Sequence, residues 1–289
     1  MNKEISIYFP KAWGEERVLD MFIHQCPHRD GRWGNIIAVD DKSDADYIIV
    51  QDNTSEEVDY SKVIYFGREP HYVQGINSRW VNNKCRNFFH HERKNTWMPQ
   101  TWWLGLDYDT LSDTNVPIKD RGLSIIDSGK GSTQGHKLRS RVVRSLINNF
   151  PNQIDVYGKI TIGKENRRPY LTTLPYRQKE IGLWRYRYCL AIENGSTDYY
   201  FSEKICDPLL CWTMPIYWGC KKISDFFPKG SYYWVDVNKS GVEHEIMEVV
   251  NSDFREENIE AIAEARDLVL NKYNLWSSIK KAIDEGKMF

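Results

Sequence analysis

The chain has 289 residues, with 39 Lys plus Arg against 40 Asp plus Glu and a formal charge of −1. That length exceeds one typical domain and fits two of roughly 120–150 residues, each able to bury a sizeable core. The balanced charge argues against a general nucleic-acid binder, whose affinity comes from a cationic surface, and no apolar run reaches the ~18 residues of a membrane span.

The amino terminus, MNKEISIYFPKAWGEERV, has no signal-peptide apolar region and turns acidic early, so a cytoplasmic protein is expected. Glu4 to Phe9 reads as a strand. Trp13 to Cys26 sets Val18, Leu19, Phe22 and Ile23 at helical spacing and predicts a helix. Ile36–Val39, Ala45–Val50 and Val63–Phe66 are further strands, the last running into Gly67-Arg68-Glu69-Pro70. The pattern blurs from His71 to Leu111. Leu111 to Arg121 is polar, contains a proline and reads as a linker.

A second run follows. Leu123–Ile126 is a strand, Asp127-Ser128-Gly129-Lys130-Gly131 a glycine-marked loop, and His136–Phe150 a helix on Leu138, Val142, Leu146 and Ile147. Ile154–Tyr157 is a strand ending at Gly158. Tyr188–Ile192 is a short apolar run suited to a buried parallel strand. Glu193-Asn194-Gly195 stands at its carboxyl end, Ser202-Glu203-Lys204 opens the next helix, and Met214–Gly219 returns as a strand. A short helix and a strand close this block at Val237, and Val242–Val250 and Ile259–Ile283 read as helices. Alternating strands and helices predict an α/β fold of two Rossmann-like domains facing across a cleft. The boundaries are 1–115 and 116–270, with 271–289 a helix returning to the first domain.

In open α/β sheets ligands bind beyond the carboxyl ends of the strands. A helix start beside a lysine suits a phosphate-bearing ligand, because unpaired N–H groups and the helix dipole favour an anion there. Metal sites are not indicated: Asp44-x-Asp46 and Asp107-x-Asp109 have a spacing common by chance, and His90-His91 reads as surface or structure. The six cysteines show neither a CxxC pair nor framework spacing and read as small buried hydrophobes. Eleven Trp and 17 Tyr fit either packed cores or a sugar-stacking surface.

Ile192-Glu193-Asn194, Tyr200-Phe201-Ser202-Glu203-Lys204 and Pro215-Ile216-Tyr217-Trp218-Gly219 resemble the carboxy-terminal domain of the α1,3-fucosyltransferase family, glycosyltransferase family ten. Ile192 replaces the family's usual Phe. Gly135, His136 and Arg139 at a helix start, followed by the Ile154–Gly158 strand, extend the resemblance over residues 122–240.

The resemblance implies a GT-B-like fold, with the donor nucleotide in the second domain and the acceptor mostly on the first. It implies Lys204 and Arg139 on the donor diphosphate, with Arg141 and Arg144 as alternatives to Arg139, and Glu203 on the ribose. Glu193 and Asn194 are expected near the sugar and Tyr200 at the nucleotide. Glu69 is expected as the general base of a single inverting displacement, although the family's Glu-Ser-Pro is here Glu-Pro. No cofactor is expected if the cations neutralise the leaving group without a metal. The implied partners are GDP-fucose and a glycan hydroxyl. A UDP-linked pentose such as UDP-xylose, or another deoxysugar, would leave the same diphosphate motifs. A glycan-binding module without catalysis is the alternative from another class.

Overall fold

The computed structural model describes residues 3–15, 17–68, 85, 87–90, 99–158 and 169–285. The chain forms two compact units: Met1–Thr101, Asp107–Asp113 and Leu270–Phe289 make the first, Trp102–Leu106 and Thr114–Val269 the second.

The first unit holds β1 (Ile5–Tyr8), β2 (Arg32–Trp33), β3 (Ile36–Ala38), β4 (Tyr47–Gln51), β5 (Val63–Gly67) and β6 (Asn87–His90), in the spatial order β2-β3-β1-β4-β5-β6. All neighbours are parallel except β2 and β3. Alternate residues of β4 and β5 enter two different cores. Ile49, Ile64 and Phe66 join Ile7, Phe9 and Phe22, whereas Ile48, Val50, Val63 and Tyr65 join Val58 and Cys85. A sheet buried on both faces explains why these strands read as unbroken apolar runs.

The expected helix over Trp13–Cys26 is replaced by 3-10 turns at Val18–Met21 and Ile23–Gln25. Trp13 (φ 54°) and Gly14 (φ 82°) are both left-handed and block an earlier start. Cys26 precedes Pro27 and is extended, as pre-proline sterics favour. Further on, α1 (Tyr108–Asp113) takes Leu111 into the core, fully buried, so the polar connector begins only at Thr114.

The second unit runs β7 (Arg121–Asp127), α2 (Gln134–Asn149), β8 (Ile154–Gly158), β9 (Tyr186–Ile192), α3 (Glu203–Leu210), β10 (Met214–Trp218) and β11 (Tyr233–Trp234). Then come α4 (Val242–Val250), the short α5 (Phe254–Glu257) and α6 (Ile259–Leu268). Its sheet is wholly parallel, in the order β11-β10-β9-β7-β8. The chain leaves β7 for β8 on one side and returns to β9 on the other, so the winding reverses between β7 and β9. A crevice at such a switch point is where this class of sheet receives ligands.

The carbonyls at the carboxyl end of α3 are held by cations. Arg266 Nε donates to Leu210 O at 3.0 Å, Lys119 Nζ to Cys211 O at 2.6 Å and Arg255 Nη2 to Trp212 O at 2.9 Å. Positive charge there complements the helix dipole and fixes α3 so that its amino end meets the carboxyl end of β9. Burial pulls the Lys119 ammonium down to about 7.

The predicted Ile259–Ile283 helix is three pieces: α6, a π-helical turn at Val269–Tyr273, and α7 (Leu275–Glu285). Asn274 causes the break. Its Oδ1 accepts from Trp276 N at 2.6 Å, a cap for α7, while its Nδ2 donates to Gln25 O at 2.8 Å. Within the first unit α7 then buries Leu275, Trp276, Ile279 and Ala282 against Ile7, Phe9 and Phe22. The Trp276 Nε1 donates to Phe22 O at 3.0 Å.

Candidate functional site

Four segments meet at the β7/β9 switch point: the ends of β7 and β9 and the starts of α2 and α3. Arg139, on the second turn of α2, lies beneath them and is 5% exposed. Its Nε donates to Asp127 Oδ1 at 3.1 Å and its Nη1 to Ile192 O at 3.0 Å, so one guanidinium ties the last residue of β7 to the last of β9. Gly135 N donates to Asn194 O at 3.1 Å. A Cβ at Gly135 would overlap the backbone of Glu193 and Asn194, so only glycine lets α2 come this close to β9.

The start of α2 carries a reciprocal cap. Thr133 Oγ1 accepts from His136 N, and His136 Nδ1 accepts from Thr133 N, both at 3.2 Å. The pKa of His136 is lowered by burial first, then by the neighbouring charges of Arg139, Lys204 and Lys130. A neutral imidazole fits its acceptor role in the cap.

At α3, Ser202 is the cap residue and its Oγ accepts from Lys204 N at 3.3 Å. Glu193 is fully buried and holds that serine with both oxygens: Oε1 accepts from Ser202 N at 2.8 Å and Oε2 from Ser202 Oγ at 2.6 Å. Burial raises its pKa, against the pull of Lys204, whose Nζ lies 3.6 Å from Oε2. Lys204 and Glu203 are both partly exposed at the mouth, 3.4 Å apart. Asn194 is partly exposed beside them, and Tyr200 is 2% exposed.

The structure thus gathers Arg139, Glu193, Asn194, Glu203 and Lys204 at one crevice and places Tyr200 within the packed interior. Arg141 and Arg144, the alternatives to Arg139, are exposed on α2. Glu69 lies outside the described residues, as does His91.

Three neighbours were not singled out from the sequence. Lys130 stood in the glycine-marked loop, and only that loop signalled it. Lys179 Nζ donates to Glu203 Oε1 at 3.5 Å and to Asp207 Oδ2 at 2.9 Å. Asp207 is 1% exposed. Burial lowers the Lys179 pKa, but Asp207 and Glu203 outweigh it and the net direction is upward.

The DxD spacings have structural uses. Asp46 Oδ2 accepts from Ser6 N at 2.9 Å, Asp107 Oδ2 from Arg29 Nε at 2.7 Å, and Asp109 Oδ2 from His28 N at 2.8 Å. Among the described residues there is no group of three or more His, Cys, Asp and Glu side chains placed to hold a metal ion. All six cysteines are buried. No helix among the described residues is long and apolar enough to cross a membrane.

Two helix starts at a strand-end crevice, with Lys204 at its mouth and Arg139 beneath, can bind an anion with a polyhydroxylated neighbour. Residues 127–253 match the family described as glycosyltransferase family 10 (fucosyltransferase), C-terminal. Over 94 residues the chain is 31% identical to α-(1,3)-fucosyltransferase B of Drosophila melanogaster; the match takes in 31% of this chain and 21% of that protein. In solved structures the chain resembles an α1,3-fucosyltransferase with GDP, at a TM-score of 0.53 and 14% identity over 96% of this chain and 93% of that one. TarM resembles it at 0.50 and 12% identity over 84% and 55%. At these identities the likeness establishes the fold, a GT-B-like α/β architecture.

Proposed function

We propose that this protein is a glycosyltransferase that transfers L-fucose from GDP-fucose to a glycan hydroxyl, in one inverting step and without a metal. The observation that carries the reading is the meeting of two capped helix starts at the β7/β9 switch point, with Lys204 at the mouth and Arg139 beneath. Residues 127–253, which carry the family match, hold this crevice.

Lys204, partly exposed beside the α3 amino end, neutralises the leaving diphosphate as a point charge, and Glu203 accepts from the ribose hydroxyls. Glu193 acts through others: it fixes Ser202 and draws Lys204 to the mouth. Arg139 supplies charge from below and holds the crevice open between β7 and β9. The acceptor proton goes to a carboxylate as the hydroxyl attacks the anomeric carbon. Glu69 is assigned that task from its place after β5.

Calorimetric titration with GDP and UDP in the presence of EDTA tests the donor and the metal together. GDP is expected to bind. Binding that vanishes in EDTA and returns with Mg²⁺ or Mn²⁺ would show that the cations do not suffice. Binding of UDP in place of GDP would move the donor to a UDP-sugar. Glu69→Gln is expected to retain GDP binding while transfer falls by about 10²–10⁴-fold. Unchanged turnover would take the role from Glu69.

A further inference from the structure

The second unit presents an aromatic and cationic stack next to this crevice, on residues with no role so far. Tyr176 is 69% exposed. Its ring meets Trp103 edge-on, with centroids 5.7 Å apart and planes at 71°. The Arg177 guanidinium carbon lies 5.7 Å from the Trp103 centroid and 6.0 Å from that of Tyr176. Arg177 also holds a left-handed backbone, φ 58°, a strained conformation for a non-glycine residue that persists where the surroundings over-determine it.

Those surroundings are well defined. Gly105 N donates to Glu180 Oε2 at 2.8 Å, and Lys179 N donates to Trp103 O at 3.1 Å. Trp103 N donates to Asp207 Oδ1 at 3.2 Å, and the other oxygen of Asp207 accepts from Lys179 Nζ. Lys179 is therefore anchored to the stack through its backbone and to Glu203 through its side chain. Asp207 fixes the same assembly to the second turn of α3. A π surface thus adjoins the Glu203 carboxylate, through Lys179, and Lys204 stands beside Glu203 at the same α3 start.

We propose that Tyr176 and Arg177, backed by Trp103, form the nucleobase platform of the donor site and favour a purine. The inference rests on the nucleotide-donor reading above. With ribose on Glu203 and diphosphate on Lys204, the base is the remaining part of the ligand, and it is flat. Aromatic rings and guanidinium planes hold bases by stacking. A purine offers the larger face, so the platform discriminates by contact area without base-edge hydrogen bonds.

The test is titration of the whole chain with GDP, UDP and inorganic pyrophosphate, in the wild type and in Tyr176→Ala, Tyr176→Phe and Arg177→Gly. Glycine keeps the left-handed backbone while removing the guanidinium. Tyr176→Ala is expected to weaken GDP by about tenfold, to leave pyrophosphate unchanged and to narrow the GDP-to-UDP ratio. Tyr176→Phe keeps the ring and is expected to behave as wild type. Arg177→Gly follows Tyr176→Ala in direction. Unchanged GDP affinity in Tyr176→Ala overturns the platform, as does a parallel loss of GDP and pyrophosphate. A defect confined to acceptor use would make the stack a sugar surface and also overturn it. If the wild type binds neither GDP nor pyrophosphate, the donor reading itself falls, and the platform with it; wild-type binding with an indifferent variant removes the platform alone.

Discussion

In the first unit β1 lies between β3 and β4; in the second, β7 lies between β8 and β9. Both sheets therefore reverse their winding beside their first strand. The connectors differ. Among the described residues, β1 to β2, β3 to β4 and β4 to β5 are joined through 3-10 turns, whereas β7 leads into the 16-residue α2 and β9 into the 8-residue α3. At the first switch point the two edges are stitched together: Thr54 Oγ1 donates to Lys11 O at 2.8 Å, and Lys11 N to Glu56 Oε1 at 2.6 Å. At the second, Arg139 braces the edges from beneath and two helix starts remain above. Strand order makes a crevice in either sheet; the connectors decide whether it offers N–H groups and dipole to an anion.

The largest expected effect comes from removing the brace. Arg139→Met leaves Asp127 buried without its cation, a defect of roughly 3–5 kcal/mol, read as a lower midpoint in urea unfolding. A wild-type midpoint would show that the guanidinium does not hold the second switch point. Lys204→Ala follows. A charge-assisted contact to phosphate is worth about 1.5–3 kcal/mol, so GDP affinity is expected to fall by about ten- to a hundredfold, and unchanged affinity would remove Lys204 from the diphosphate site. In the wild type, GDP should slow amide exchange at the starts of α2 and α3 and leave Lys11 and Thr54 as they were. Protection at the first switch point instead would reverse the comparison.

Glu56→Gln tests the stitched crevice. It weakens the acceptor for Lys11 N and Tyr8 Oη, and a loss of about 1 kcal/mol with unchanged GDP affinity is expected. Weakened GDP binding would mean that the two crevices do not divide their tasks as described. The smallest effect belongs to Asp46. The Ser6 amide is the first cause that holds its carboxyl below the ordinary 3.8. Its stabilisation is therefore complete above pH 3.8 and fades as pH falls through the lowered folded value. Asp46→Asn should remove about 0.5–1 kcal/mol at neutral pH and flatten acid unfolding over that range; an unaltered acid limb would assign that limb to other carboxylates.

The second sheet was legible because its strands are continuous apolar runs between strong punctuation, as in Tyr188–Ile192 before Glu193-Asn194-Gly195. Glu203 and Lys204 were legible as a helix start. Lys179 and Asp207 were not: they meet across 28 positions, and no local pattern records a pairing made by tertiary packing. Trp13–Cys26 misled because hydrophobic spacing is blind to backbone sign. Val18, Leu19 and Phe22 are buried as a helix would bury them, but the left-handed Trp13 and the pre-proline Cys26 leave room only for tight turns. The break at Asn274 is invisible to periodicity for the same reason, since the apolar stripe continues through it.

The hydrogen bond from Trp276 to the carbonyl of Phe22 joins residues 254 positions apart. A ribosome delivers the first sheet early and its covering helix only after the whole second unit. The second unit, unbroken from Thr114 to Val269, is complete while Ile7, Phe9, Ile49, Ile64 and Phe66 still wait for α7. During synthesis the early unit is thus the late folder, with an apolar sheet face open to chaperones or to other nascent chains until α7 emerges.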